Sequence, residues 1–191
     1  MKLLTLKIQN FRCLKEDRNI IDFSKSNILF LIGQNNVGKS TYLRAYEFFV
    51  NSKQSATRED FYNYDTDTPI NIEGPFRKEE NDDANVDFQG TGRNADPEWV
   101  NKWVDAQNLI RIRKTWNGVG LFSKETFDPI QNQWVANGFG GMDSLFTKYA
   151  PTPIFINAME DENSLEEKVN KLIQDKYLKQ LKEQHRVSYQ D

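Results

Sequence analysis

The eight residues Gly33-Gln34-Asn35-Asn36-Val37-Gly38-Lys39-Ser40 constrain this chain more than any other stretch of it. Two glycines bracket four residues and are followed by lysine and serine, the pattern G-x-x-x-x-G-K-[ST]. Each position has a physical reason. Gly33 and Gly38 let the backbone turn tightly, so that successive N–H groups face inward as an anion-binding nest. A helix beginning near Lys39 adds its positive N-terminal dipole at the same place. Lys39 then reaches the β- and γ-phosphates of a nucleoside triphosphate, and the Ser40 hydroxyl ligates Mg²⁺. ATP and Mg²⁺ are the expected ligands of such a P-loop.

The flanks fit the motif. Ile28-Leu29-Phe30-Leu31-Ile32 is a continuous apolar run, expected as a central strand covered on both faces. After the motif, Leu43, Tyr46, Phe49 and Val50 recur at helical spacing, with Ala45 and Glu47 in support, and predict a helix from Lys39 to about Ser52.

Elsewhere the patterns predict strands over residues 3–11 and 19–23, a polar loop over 53–68, and a strand over 70–73 that ends at Gly74-Pro75. Residues 77–95 read as a long exposed connection. Asp96-Pro97-Glu98 is a helix start, with Trp99, Val100, Trp103 and Val104 as its apolar face. Residues 109–113, 120–122 and 133–135 read as consecutive antiparallel strands, with Asn117-Gly118 in a turn. Residues 153–157 read as another buried strand. Ser164-Leu165-Glu166-Glu167 is a capping box opening a helix whose apolar face is Leu165, Val169, Leu172, Ile173, Tyr177, Leu178 and Leu181. The fold class is α/β: a P-loop core with an antiparallel β subdomain and flanking helices.

Composition excludes several classes. With 191 residues, the chain suits one domain or one and a half. Hydrophobic residues make up 38%, including 13 Phe and 4 Trp, which argues against disorder. The net charge of −3 is not that of a basic nucleic-acid coat, although residues 1–50 hold eight Lys/Arg against four Asp/Glu. A phosphate-handling face and a solvated surface both account for that basic start. Cys13 is the only cysteine, so no internal disulfide forms and a reducing, cytoplasmic setting is expected. No apolar stretch approaches membrane-spanning length, and the N-terminus lacks a signal-peptide run.

Residues 8–41 also carry a resemblance. Ile8-Gln9-Asn10-Phe11-Arg12, followed by Leu31-Ile32 and the loop through Thr41, resembles the opening of the ABC-type ATPase heads of the RecF, SMC and OLD families. The pair Asn35-Asn36 leans toward OLD-like anti-phage ATPases. Arg58-Glu59-Asp60-Phe61 with Ile70-Asn71-Ile72-Glu73, and the stretch from Ala150 to Asp161, are similar to later parts of that group. By position, the resemblance implies that Thr41 sits by the α-phosphate. Asn35, Asn36 and Val37 then shape the loop. Arg12 lies close to the nucleotide or on the DNA-facing side, with a solvated cation as the plain alternative. Glu160 or Asp161 falls at the Q-loop, which senses Mg²⁺ and the attacking water.

Two parts of such an ATPase are not legible. Gly138-Phe139-Gly140-Gly141 lacks the serine of a signature segment. Residues 154–162 resemble a Walker B strand, but Asn157 interrupts the apolar run. The resemblance thus implies an N-terminal lobe over residues 1–163 and a helix over 164–191 leading toward a helical or coiled-coil arm. A C-terminal half would return with signature, Walker B and any nuclease domain. Two such heads would sandwich ATP as a homodimer acting on DNA in repair or anti-phage defence. A nucleotide-gated scaffold without hydrolysis, or another P-loop kinase or GTPase, are the alternatives; no guanine-reading Asn-Lys-x-Asp is present.

The remaining candidates are weaker. His185 is the only histidine and sits in the polar tail, which argues against a His-based triad, and a single histidine excludes a His₂ metal site. Cys13 beside Arg12 reads as a half-buried strand cysteine rather than an activated thiol. Gly90-Thr91-Gly92 is half a dinucleotide fingerprint with no strand before it. Trp99, Trp103, Trp116 and Trp134 read mainly as core. Arg111, Arg113 and Lys114 beside Trp116 form the best local cluster for a nucleic-acid backbone, and one face of a solvated sheet has the same pattern.

Overall fold

Leu6, Ile8, Ile70, Ile72, Phe76, Ile110, Ile112 and Trp116 alternate with polar or half-exposed neighbours and are all buried, so one face of a sheet forms the core. The computed structural model describes residues 2–25, 30–34, 38–78 and 100–136, with residues 163, 166, 167, 169–171, 173 and 174 in helix. The chain divides into two compact units, Met1–Pro153 and Ile154–Asp191.

In the first unit the strands are β1 (Lys2–Leu3), β2 (Thr5–Gln9), β3 (Asn19–Asp22), β4 (Ile70–Arg77), β5 (Leu109–Trp116), β6 (Ser123–Asp128) and β7 (Gln133–Ala136). They make one sheet in the order β3-β2-β4-β5-β6-β7, with β1 also paired to β4. Every pairing is antiparallel. β1 and β2 are one run interrupted at Leu4, whose N–H donates to Pro75 O at 3.0 Å and whose carbonyl accepts from Phe23 N at 2.7 Å.

Helix α1 (Lys39–Val50) lies on the buried face. Phe49 stacks on Phe76 with centroids 6.0 Å apart, and Phe48 meets Phe11 at 4.8 Å and Trp116 at 5.5 Å. Its buried stripe is Thr41, Ala45, Phe48 and Phe49, not the expected Leu43 line. Leu43 is 48% exposed, because the stripe that meets the sheet is rotated away from it. Tyr46 and Val50 pack at its edge, and burial pushes the Tyr46 phenol well above its ordinary range.

Gly74-Pro75 does not end β4, which runs on to Arg77. Gly74 is there because its neighbours leave no room. A Cβ at that position would stand 2.8 Å from Leu3 Cδ1, 2.9 Å from Thr5 O and 3.2 Å from Phe49 Cζ. The glycine marks a close approach of strand and helix, not a turn. Gly74→Ala should therefore cost about 1–3 kcal/mol, the scale of overpacking in a tight core. A urea unfolding midpoint unchanged by the substitution would contradict this packing.

Three further expectations are corrected. The strand expected at 120–122 lies at Ser123–Asp128. Its inward residues are Lys124, Thr126 and Asp128, so it has no apolar alternation to read; Gly120 instead bridges Ala56. The run before the loop is not a covered strand in its described part: residues 30–34 have no regular structure, with Phe30 79% and Ile32 92% exposed. Apolar residues become a buried strand only where neighbouring strands pair with them, and no described strand pairs with 30–34. Asn101–Trp103 is a short 3₁₀ turn with Val100 and Trp103 buried, and the helix start expected at residue 96 lies outside the described residues. So does the strand expected over 153–157. In the second unit, Val169 and Ile173 are helical and half-exposed.

Candidate phosphate-binding site

Gly38 is the N-cap of α1 and adopts the left-handed conformation at φ 92° and ψ 14°. Two constraints select glycine there. An L side chain disfavours that φ, and a Cβ would fall 2.5 Å from Cys13 Sγ. The Thr41 N–H donates to Gly38 O at 3.0 Å, closing the first turn. That turn contains no acidic residue and no side-chain cap, so its backbone donors and dipole are left for an anion.

Lys39 folds back over the loop. Its Nζ donates to Gly33 O at 2.8 Å and Gln34 O at 2.5 Å. The ammonium therefore ties the start of the loop to the helix that ends it, in the place where a phosphate would be drawn. Ser40 is exposed on the first turn and offers a single oxygen. That suits Mg²⁺, which keeps most of its coordination as water and phosphate. Among the described residues no group of three His, Cys, Asp or Glu is placed to hold a metal by itself. Asn35, Asn36 and Val37 lie outside the described residues, as do Glu160 and Asp161.

The turn after β2 abuts the loop. Cys13 Sγ lies 3.4 Å from Thr41 Oγ1. Cys13 is thus an exposed turn residue, not a half-buried strand cysteine: β2 stops at Gln9, and the chain turns back through Asn10 and Arg12 at φ 55° and 53°. The same turn joins two motifs that are far apart in sequence. Phe11 forms a bridge with Phe61, the Arg12 N–H donates to Asp60 O at 2.8 Å, and the Tyr62 N–H donates to Asn10 O at 3.0 Å. The Arg12 guanidinium donates to Asp60 Oδ1 through Nε at 3.0 Å and Nη2 at 2.8 Å. Arg12 is therefore a paired cation, its side chain 39% exposed. Asp60 is the residue that sequence reasoning did not single out; its only signal was to stand in one motif with an arginine in the other.

The basic cluster expected at residues 111–116 divides between the two faces of the sheet. Lys114 and Trp116 point into the core, where Lys114 Nζ donates to Asn51 O at the end of α1 at 2.8 Å. On the other face Arg113 pairs with Glu125 at 2.6 Å and lies over the Trp134 ring, while Arg111 lies over Phe127 at 3.4 Å. Alternation along a strand separates neighbours that the sequence writes side by side.

A family model described as an AAA ATPase domain matches residues 1–191. Among curated proteins, none is found that matches the chain in sequence. A solved structure from work on the ATP-driven dimerization and DNA-stimulated activation of SMC ATPases is similar in fold. It has a TM-score of 0.51 and 12% identity, covering 88% of this chain and 96% of that one. At that identity the likeness is one of fold.

Proposed function

Because the chain belongs to the AAA ATPase domain family, we propose that it is the nucleotide-binding half of an OLD-, RecF- or SMC-like ATPase acting on DNA in repair or anti-phage defence. The observation that carries this reading is the loop exit itself. A left-handed Gly38 opens α1, an uncompensated helix N-terminus follows, and Lys39 is already seated over the loop. Gly33, Asn35, Asn36, Val37, Gly38, Lys39, Ser40 and Thr41 hold the phosphates, Arg12 lies beside them, and Ser40 takes Mg²⁺. When bound, the ion offsets phosphate charge. Glu160 and Asp161 serve the attacking water.

In this reading residues 1–163 are one lobe of the head and 164–191 lead toward an arm. A second lobe with signature and Walker B packs where Phe30 and Ile32 stand exposed beside the loop. Two heads close on ATP, so nucleotide acts as a dimerising switch, and a nuclease is the companion activity.

The test is ATP binding, ATP turnover and sedimentation of this chain, with and without duplex DNA. The reading expects binding with little or no turnover. Turnover by the chain alone, lost in Lys39→Ala, would overturn the division of catalytic parts between two lobes. Absence of ATP binding would overturn the reading as a whole.

A further inference from the structure

Asp60 is 4% exposed, and both of its carboxylate oxygens are engaged. Oδ1 accepts from Nε and Nη2 of Arg12; Oδ2 accepts from the backbone N–H and the hydroxyl of Thr57, each at 2.9 Å. A carboxylate held in this way is a fixed acceptor, unlike the mobile partner of an exposed ion pair. The backbone around it is equally constrained. Asn10, Arg12, Asn63 and Tyr64 all have φ between 53° and 60°, although none is glycine. Such conformations persist where the surroundings over-determine them, and they gather at functional sites.

The constrained turn is next to the loop. Cys13 follows Arg12 and touches Thr41 in the first turn of α1. The Nη1 group of Arg12 makes no hydrogen bond among the described residues. We propose that Asp60 is the positioning residue for Arg12, holding its guanidinium at the rim of the loop with the Nη1 edge turned to the nucleotide phosphates. This rests on the nucleotide-binding reading given above. Asp60 touches neither substrate nor metal; it acts by fixing the direction of a cation that does.

The experiment titrates a fluorescent ATP analogue with Mg²⁺ into the wild type and into Arg12→Ala, Arg12→Lys, Asp60→Asn and the double variant Arg12→Ala/Asp60→Asn. Thermal unfolding is recorded for each. Arg12→Ala and Asp60→Asn should each weaken binding about tenfold, the scale of one hydrogen bond to a charged group. Arg12→Lys should fall with them, because an ammonium keeps the charge and loses the fork that Asp60 grips. The double variant should bind no worse than Arg12→Ala, as expected of two residues acting as a unit.

An Asp60→Asn variant that unfolds at lower temperature yet binds ATP like the wild type would overturn the proposal. So would additive losses in the double variant. If Asp60→Asn does not fold, wild-type affinity in Arg12→Lys overturns it equally. Lys39→Ala in the same titration separates the two readings. Affinity indifferent to Lys39 defeats the nucleotide site itself, whereas affinity sensitive to Lys39 and Arg12 but not to Asp60 defeats the positioning role alone.

Discussion

Lys39→Ala should weaken ATP binding by about a hundredfold, the loss of two hydrogen bonds from a charged group. The lysine has two tasks in this geometry. Its Nζ reaches Gly33 O and Gln34 O and so holds the loop closed. It also supplies a cation in the first turn of α1, whose N-cap is Gly38. An ammonium has three donors, so a phosphate oxygen can share it with the loop or replace one carbonyl. Alanine removes both the clasp and the charge. The fold should not suffer, since Lys39 is half-exposed and absent from the core, and its unfolding midpoint should stay close to that of the wild type. Equilibrium titration with a fluorescent ATP analogue, beside urea unfolding of the same samples, measures both. Unchanged affinity would remove the P-loop as the binding site.

The largest effect on stability should come from Trp116→Ala, at about 3–5 kcal/mol. Trp116 is fully buried at the end of β5, between Phe48 of α1 at 5.5 Å and Phe122 at 5.3 Å. Its Nε1 donates to Gln54 O at 3.3 Å. Alanine would leave a large cavity and a carbonyl with no indole partner. Domains of this size are stable by only about 5–15 kcal/mol, so the loss takes a large share of the total. Trp116→Phe should cost less, since it keeps the ring contacts and forfeits only volume and the hydrogen bond. Both variants lose the hydrogen bond, so the difference between them in denaturant unfolding isolates the cost of the cavity. A Trp116→Ala loss below about 1 kcal/mol would mean that the sheet face is not the main core.

The parts of this fold that were legible in sequence follow local rules. β2, β3, β5 and β7 alternate or cluster apolar residues, and the helix after the loop begins at Lys39 as the motif requires. What misled were residues whose reason lies across the sheet. Gly74 looks like a terminator, and only its distances to Leu3, Thr5 and Phe49 explain it. β6 buries Lys124, Thr126 and Asp128, which no hydrophobic pattern announces. Arg111, Arg113 and Lys114 look like one basic cluster until pleating sends Lys114 to the opposite face. At the candidate site, Gly33, Gly38, Lys39 and Ser40 form a motif written in one stretch of sequence, where residue type and spacing can be read together. Asp60 was not, because its partner Arg12 is brought to it by tertiary structure alone.

The sheet pairings also imply an order of assembly. β5 and β6 pair Ile112 with Thr126, and β6 and β7 pair Phe127 with Trp134, so these closures are short. β2 and β4 pair Ile8 with Ile72, across everything from the turn at Arg12 to the end of the Asp60 segment. Longer closures carry a greater entropic cost and form later. The phosphate loop lies wholly within that late closure, and its contacts with Cys13 are among those it brings. A nascent chain therefore carries the loop sequence well before it has a loop that can bind. Whatever occupies the finished loop binds the closed sheet and not the open chain, so it adds to the stability of the folded state.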